Sequence, residues 1–451
     1  ITELEKSMEQ TNGKLKLFDL ISIGVGSVVG AGIFSMLMSG MAMTGRSIAL
    51  ALVGAMLITL LQQVRSIFMS SMFALDGGMY AQQALILPPV FTGMTAVVFV
   101  FSNFSFSVFG ISIAQYLSQL IPALAPFQRI LGVVILTAFF LVTIKGTGFL
   151  AKIQNVLAVC MYAALALFIV FGLIKGGTAE AAATPYFAGG PMGFLMAIAI
   201  MSFTCNGATN VINLSADTHN PKRNIPLGVL ISAGICALIY FLLGYVASSV
   251  VPFAQAGSAT LGSVAQQIMP GALYIFFVVG GAIFALATSL LGGIAAISAP
   301  IVAGAEDGWL PKSWAKRTKT GYPWVVMLVM YLIAVVPAAL NFSLDTIVSF
   351  ILVPGMILNV VTICLSFKLP KNYPDSWAKC NLRCPYWLYC VLLVLSMIAS
   401  LITAVFSLLG LDMIGLLGNL LLTAFLFGFS FWRVKSGKVQ LHSIESVKAE
   451  T

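Results

Sequence analysis

The chain has 451 residues, of which 60% are hydrophobic and 8% are charged. Soluble globular domains carry about 25% charged residues, so this composition excludes a soluble protein and predicts one that lies in the lipid bilayer. The formal net charge is +9 at pH 7, a value that raises the question of an anionic partner.

Apolar stretches long enough to cross a membrane recur along the whole chain. Each crossing needs about 20 residues for a hydrocarbon core of ~30 Å. The residues before position 17 are polar and show no cleavable-signal pattern, so we expect the first apolar segment to be retained. We predict twelve spanning segments, at about residues 17–41, 47–69, 90–120, 128–145, 148–174, 191–216, 226–250, 271–301, 323–341, 345–367, 385–408 and 411–433.

The first segment contains four glycines in nine residues, from Gly24 to Gly32. Each glycine weakens a helix interior by roughly 0.8–1 kcal/mol relative to alanine. Non-helical backbone exposed to lipid costs several kcal/mol for every unpaired group. Such a break is therefore stable only where its N–H and C=O groups face protein, water or a ligand. We predict that this helix is broken and that the break forms part of a binding site.

The region that follows, up to the third segment, gives weaker indications of structure and function. We interpret the stretch 70–87, which includes Asp76-Gly77-Gly78, as a re-entrant or interfacial helix rather than a span. The side chains of the third segment that could line a permeation path are Phe101, Asn103, Phe104, Phe106 and Phe109.

The sixth segment contains three asparagines and two threonines between Met201 and Asn213. Hydrogen bonds between helices would account for one or two of them, but a cluster around Gly207 indicates a cavity inside the bundle. This cluster follows the first break by about 175 residues. Interrupted segments at corresponding positions of two halves indicate a site at the membrane midplane of an inverted-repeat transporter, with five helices in each repeat.

The chemistry expected at such breaks suits a zwitterion. The second half of the first helix begins near Gly30, Ala31 and Gly32, where free N–H groups and the positive helix end attract a carboxylate. The first half ends near Ser27 and Val28, whose carbonyl groups carry partial negative charge and attract an ammonium group. The sixth segment would offer further carbonyls. Donors on one side and acceptors on the other predict recognition of an α-amino acid head group.

The positive charge is explained by membrane topology. With the amino terminus inside and twelve spans, only Arg46, Arg129 and Lys175 lie on the outer side, and the other 20 of the 23 basic residues lie on the cytoplasmic side. This asymmetry follows the positive-inside rule and predicts that both termini are cytoplasmic. We therefore expect no nucleic-acid partner.

Features near the carboxyl terminus have plain interpretations. Trp309 and Trp314 lie in the basic loop 305–322 and are expected to anchor it at the inner membrane surface. We expect the polar tail after Trp432 to be disordered. Seven cysteines lack a zinc-ligand spacing, so we expect neither a metal nor a cofactor. They are Cys160, Cys205, Cys236, Cys364, Cys380, Cys384 and Cys390.

Several motifs occur in an order that resembles the amino acid–polyamine–organocation (APC) transporter superfamily, over roughly residues 15 to 370. They are GSVVGAGIF in segment one, SFTCNGATN in segment six, NPKRNIP at residues 220–226, DGGMY at 76–80 and AEDGWLP at 305–311. The resemblance implies an all-α integral membrane protein with the LeuT-type 5+5 inverted repeat, broken helices 1 and 6, and about twelve transmembrane helices.

The same resemblance implies roles for individual residues. Gly30-Ala31-Gly32 matches the family's carboxylate-binding motif, and Phe203 matches an aromatic residue that closes over the substrate as a gate. Gly293 stands where some exchangers have an aromatic wall. The substrate-binding residues predicted in total are Ser27, Val28, Gly30, Ala31, Gly32, Phe203, Thr204, Cys205, Asn206, Thr209, Asn210 and Gly293.

One departure from the family concerns ion coupling. Met161 stands where several relatives have a lysine that occupies the ion site of sodium-coupled members. No Asp or Glu lies in the middle of a predicted span, although a proton relay commonly needs one. Sodium coupling through Thr288, Ser289 or Ser298 stays open.

These observations predict a secondary active transporter of small neutral amino acids that works by alternating access and substrate exchange, in the plasma (inner) membrane. The alternatives are an exchanger of a cationic amino acid and its decarboxylated amine, and an amino acid sensor that does not cycle. We expect an amino acid or amine and the lipid bilayer as partners, no enzymatic activity, and leave a partner subunit unassigned. The predicted regions are 1–16 (cytoplasmic), 17–174 (first repeat), 191–367 (second repeat), 385–433 (two further helices) and 434–451 (cytoplasmic tail).

Overall fold

The computed structural model describes residues 15–75, 77–143, 147–215, 218–318, 323–340, 342, 344–409, 411 and 413–442. Within these ranges the chain is helical and contains no β-strand, apart from one isolated bridge between Leu15 and Thr218. The all-α class that the resemblance implies is therefore confirmed for the part of the chain described.

Twenty-two α-helices follow one another in the described residues. They are α1 (Leu17–Val28), α2 (Ala31–Thr44), α3 (Ile48–Gln62), α4 (Val64–Met72), α5 (Gly78–Ile86), α6 (Pro89–Phe101), α7 (Ser105–Leu120), α8 (Gln128–Thr143), α9 (Thr147–Lys175), α10 (Ala179–Ala183), α11 (Gly190–Cys205), α12 (Pro221–Val250), α13 (Phe253–Ala256), α14 (Leu261–Ile268), α15 (Gly271–Phe276), α16 (Phe284–Glu306), α17 (Trp324–Ala339), α18 (Leu344–Ser366), α19 (Leu369–Asn372), α20 (Pro374–Ala378), α21 (Tyr386–Leu409) and α22 (Met413–Lys435). A 3₁₀ segment, Ala208–Leu214, follows α11, and a π-helical turn, Phe277–Ile283, joins α15 to α16.

Each of the twelve predicted hydrophobic segments coincides with one helix or a consecutive pair of helices. Nine helical stretches within the described ranges are long and apolar enough to cross a bilayer, and three shorter helices are also apolar. Their outer surfaces suit lipid, because large apolar side chains such as Leu421 on α22 (68% exposed) and Val159 on α9 (68% exposed) point away from the protein. That all twelve segments cross the membrane stays a prediction.

The first helix is broken, as the glycines predict. α1 ends at Val28, and Val29 and Gly30 adopt extended backbone conformations (φ −74°, ψ 92° and φ −167°, ψ −132°) before α2 begins at Ala31. The sixth segment breaks similarly. α11 ends at Cys205, Asn206 is extended, and Gly207 has φ 148°, which a side chain would strain.

The broken helices lie at the centre of the bundle. α1 packs on α12 and on the 3₁₀ segment Ala208–Leu214, while α2 packs on α11. α16 contacts both α1 and this 3₁₀ segment. Both breaks are therefore enclosed by protein, which is the condition under which irregular backbone is stable at membrane depth.

Two expectations about the loops are wrong. Trp309 is fully buried rather than placed at a membrane surface, because its ring packs against Gly93 of α6, where a Cβ would overlap it. The tail is ordered up to His442, since the Gln440 N–H donates to the Asp307 carbonyl at 3.0 Å. Residues 1–14 of the predicted region 1–16 and residues 443–451 of the predicted tail 434–451 lie outside the described residues.

The contact between the tail and the end of α16 depends on a glycine. Gly308 has φ 86°, its carbonyl accepts a hydrogen bond from Arg433 Nε at 2.7 Å, and a Cβ there would overlap the Lys438 carbonyl oxygen. The Tyr80 hydroxyl of α5 donates to the neighbouring carboxylate of Asp307 at 2.6 Å. The carboxyl-terminal segment is thus tied to the ends of α16 and α22.

We predict that Gly308→Ala lowers the thermal unfolding temperature, because a side chain in the left-handed region costs about 1–2 kcal/mol and here also displaces the tail. Thermal unfolding in detergent measures this effect. Gly428→Ala in α22 is the matched control, since the space around its Cβ is open. Equal unfolding temperatures for Gly308→Ala and the wild type would show that the tail does not rest on this loop.

Candidate functional site

A cavity of about 250 Å³ opens where the two helix breaks meet. Residues of α1, α2, α11 and the 3₁₀ segment line it together with residues of α6, α7 and α16. The residues that line it are Ser27, Val28, Gly32, Gln63, Met79, Val98, Phe99, Ser102, Ser105, Phe106, Phe109, Phe203, Thr204, Asn206, Gly207, Thr209, Asn210, Asn213, Ser289, Gly293, Ile297 and Leu352.

Nine of the twelve residues predicted for the site line this cavity. The other three are Gly30, Ala31 and Cys205. Gly30 packs against Ser289 and the Ala285 carbonyl instead. Cys205 is buried with its Sγ 4.0 Å from the Leu52 carbonyl oxygen. Ala31 is the first residue of α2, and its side chain is outside the described part of the structure.

Glycines bring the two breaks into direct contact. A Cβ at Gly32 would overlap Thr204 Cα, so α2 can approach α11 this closely only without a side chain. At the second break, a Cβ at Gly207 would lie 2.7 Å from the Ser27 carbonyl carbon. The glycines that weaken these helices thus also permit the backbone approach that forms the cavity.

The amino-terminal end of α2 supplies hydrogen-bond donors. Its first N–H groups have no partner within the helix, as at any helix start, and Gly32 in its first turn lines the cavity. The helix dipole adds partial positive charge at this end. The arrangement can bind a carboxylate through backbone groups, which agrees with the chemistry expected from the sequence.

Several of the carbonyl acceptors at the breaks already accept hydrogen bonds from the protein. The Gly26 carbonyl accepts from Ser289 Oγ at 3.2 Å, and the Phe203 carbonyl accepts from the Asn206 N–H at 3.2 Å. Tyr240 of α12 donates to the carbonyls at both breaks, and sequence reasoning did not find this residue. The acceptors available to a ligand are therefore fewer than the sequence suggested.

Four aromatic side chains line the cavity. Phe99, Phe106 and Phe109 of α6 and α7 line the cavity together with Phe203 of α11. The space left by Gly293 of α16 is filled by Phe106, whose Cε1 would lie 2.9 Å from a Cβ at that position. A ring from α7 thus lies against α16 where an aromatic side chain on α16 could otherwise stand.

Only some of the residues predicted from the third segment line the cavity, and others line it that were not predicted. Asn103 is buried and its Nδ2 donates to the Phe99 and Val100 carbonyls at 3.1 and 2.7 Å, so it does not line the cavity. Phe101 and Phe104 contact each other, with ring centroids 5.7 Å apart. Ser102 and Ser105 do line the cavity. Their spacing with Phe106 and Phe109, three or four residues apart, marks one helix face and could have identified them.

The polar side chains of the sixth segment divide between two roles. Asn213 Oδ1 accepts a hydrogen bond from the Met79 N–H at 2.9 Å, which fixes α5 to the 3₁₀ segment. Asn206 Nδ2 donates to the Ser202 carbonyl at 3.3 Å and supports the break itself. Thr209 and Asn210 also line the cavity, where their side chains can contact a ligand.

The cavity carries no formal charge: none of its described lining residues is Asp, Glu, Lys, Arg or His. Within the described ranges no group of three or more potential metal-ligating residues occurs.

The residues considered for ion coupling are also part of the described structure. Met161, which stands where several relatives have a lysine, is buried. Among the hydroxyls considered for a sodium site, Thr288 donates to the Ala285 carbonyl at 2.9 Å and Ser289 donates to Gly26.

A bundle of apolar helices with a lipid-facing surface and an internal polar cavity defines an integral, multi-pass membrane protein that takes up a small solute between its helices. The sequence model of the amino acid permease family matches residues 15–431, so the chain belongs to this family. It is a transporter of the APC superfamily and not an enzyme.

Individual relatives transport chemically different solutes. The chain is 26% identical to the methylthioribose transporter of Bacillus subtilis over 69% of this chain and 70% of that protein. It is 24% identical to the branched-chain amino acid permease BcaP of the same organism, over 71% and 73%. It is 28% identical to the chloroplastic cationic amino acid transporter 6 of Arabidopsis thaliana, over 63% and 53%.

We predict that Gly32→Ala abolishes ligand binding, because the added Cβ separates α2 from the Thr204 backbone and opens the junction of the breaks. Isothermal titration of the purified protein measures the loss, which we expect to exceed tenfold. Gly26→Ala is the control, since its Cβ would meet only the Tyr162 hydroxyl, at 4.0 Å. Similar affinities for both variants, each present in the membrane at wild-type levels, would contradict the role of the close approach.

Proposed function

We propose that the protein transports small neutral amino acids by alternating access around the breaks of the first and sixth segments. The observation that carries this proposal is the uncharged cavity at the junction of the breaks. A substrate with a net charge would have to leave water without a counter-ion, which is unfavourable at low dielectric. A zwitterion can instead be held by backbone donors and acceptors.

In the proposed complex, the substrate carboxylate faces the amino-terminal end of α2. The ammonium group lies near the Ser27 carbonyl and the hydroxyl and amide oxygens of Thr209 and Asn210. The side chain then points toward Phe106 and Phe109. This placement suits an apolar side chain of small or moderate size, because the cavity measures only about 250 Å³ and drug-sized ligands occupy about 300–1,000 Å³.

We propose the 5+5 inverted repeat for the arrangement of the spans, with segments one to five and six to ten as the two repeats. The matching positions of the two breaks support this arrangement. The distribution of basic residues supports cytoplasmic termini, and the plasma membrane is the location we propose. The five predicted regions, from 1–16 to 434–451, follow from the same assignment.

Alternating access requires the solute to be reachable from one side at a time. A second pocket, of about 410 Å³ and lined by Ser35, Gln115 and Gln119 among others, lies near the loops that follow α7 and α13. Ser35 Oγ of α2 lies 2.5 Å from Ser112 Oγ of α7. We propose that this contact closes the outer side of the transport route.

Exchange of one substrate for another is the proposed mode. No described residue that lines the cavity is acidic or a histidine, so a proton relay has no titratable group at the substrate. The gradient of the substrate itself then drives the cycle.

A neutral polyol such as methylthioribose is a second candidate substrate, because the cavity is uncharged and contains several hydroxyl and amide groups.

Phe203 is the proposed gate, since it lines the cavity at the end of α11 next to Thr204. We predict that Phe203→Ala lowers the maximal transport rate more than it weakens binding, because the ring closes over the bound substrate. Transport rate and equilibrium affinity are measured on the same preparation. Phe203→Tyr keeps the ring and should keep the rate. A loss of affinity as large as the loss of rate would assign Phe203 to packing.

The transport assay uses proteoliposomes in sodium-free buffer, with and without unlabelled substrate inside. We expect internal L-alanine or L-leucine to stimulate uptake of the labelled amino acid, while L-lysine, agmatine and methylthioribose are taken up more slowly. Empty liposomes are the control. Uptake that requires a sodium or proton gradient would overturn exchange, preferred uptake of L-lysine and agmatine would support the cationic alternative, and saturable binding without uptake would support the sensor.

A further inference from the structure

Tyr240 of α12 joins the two helix breaks through a single hydroxyl group. Its oxygen lies 2.6 Å from the carbonyl oxygen of Val28, the last residue of α1. It also lies 3.0 Å from the carbonyl oxygen of Thr204, which directly precedes Cys205, the last residue of α11. The side chain is fully buried, and the residues of both carbonyls line the cavity.

A tyrosine hydroxyl has one proton to donate, so two acceptors share it or alternate in receiving it. Both carbonyls stand at helix ends, where the regular i to i+4 partner is missing. Inside a membrane each would otherwise need a donor from water or from a ligand. Tyr240 thus supplies the donor that the irregular backbone lacks.

We propose that Tyr240 is a specificity-determining, positioning residue that makes the cavity select neutral amino acids over amines. By donating to both carbonyls it lowers the negative potential at the junction of the breaks. Neither its ring nor its hydroxyl contacts the substrate. Tyr240 acts instead through the carbonyls of Val28 and Thr204. This inference rests on the proposed function, because it assumes a substrate head group at the breaks.

The effect on selectivity follows from net charge. Removing the hydroxyl frees two acceptors beside the cavity, and hydrogen bonds from a charged donor to them are stronger than those from a neutral one. A monoamine gains from the added negative potential. In a zwitterion the ammonium group gains and the nearby carboxylate loses, so the two effects oppose each other. Both affinities can change, but the ratio of the amine affinity to the amino acid affinity rises.

The test compares L-leucine with isoamylamine and L-alanine with ethylamine, pairs that differ by the carboxylate alone. Dissociation constants are measured by isothermal titration for the full-length wild type, Tyr240→Phe and Tyr116→Phe. Tyr116 is the matched control, because its buried hydroxyl also donates to a backbone carbonyl of the first segment, that of Phe34, but Phe34 does not line the cavity.

We expect Tyr240→Phe to shift the affinity ratio about tenfold toward the amine in both pairs, and Tyr116→Phe to leave it unchanged. A ratio that stays constant in Tyr240→Phe, or shifts equally in both variants, would overturn the role of Tyr240 while leaving the proposed function intact. Failure of the wild type to bind either amino acid would overturn the proposed function and this inference with it.

Folding of the variants is followed by thermal unfolding in detergent. If Tyr240→Phe is unfolded, p-aminophenylalanine at position 240 replaces it in the same titrations. Its two N–H groups can donate to both carbonyls, so we expect it to keep the wild-type preference for the amino acid. A folded protein with this residue that prefers the amine would overturn the proposal.

Discussion

A backbone N–H or C=O group without a partner in a lipid bilayer costs several kcal/mol, and this chain interrupts two helices at that depth. The rest of the structure depends on how those groups are satisfied. α12 contributes Tyr240 to the carbonyls at both breaks, and α16 contributes Ser289 to the Gly26 carbonyl. The central position of the broken helices follows from this requirement, because only surrounding helices can provide the missing partners.

The same constraint accounts for the cavity. Where protein groups supply every partner, the breaks are closed by packing, as at Gly30 against Ser289. Where they do not, at the start of α2 near Gly32, donors remain that a ligand can use. The groups that can bind a ligand are therefore the backbone N–H groups for which the surrounding helices supply no hydrogen-bond partner. This is why we propose that a cavity without charged side chains binds a charged head group through backbone groups.

The side chains around the breaks define what else the ligand must be. Phe106 and Phe109 contribute apolar surface to the lining, and no formal charge lies in the described lining to pair with a cationic side chain. Relatives at 24–28% identity transport a thioether sugar, branched-chain amino acids or cationic amino acids. The shared scaffold thus accommodates different solutes, and the lining of each cavity has to distinguish them. The uncharged lining of this chain is the basis for the neutral substrate that we propose.

The sequence by itself determined the class, the breaks and most of the predicted residues that line the cavity. Clustered glycines and asparagines in apolar segments are local signals, and nine of the twelve residues predicted from them line the cavity. Only the tertiary structure decided that Cys205 faces Leu52 and that Trp309 is buried. It alone also showed that Tyr240 reaches both breaks. The reason is physical: helix periodicity records which residues share a face, whereas contacts between helices far apart in the chain depend on packing that no local pattern contains.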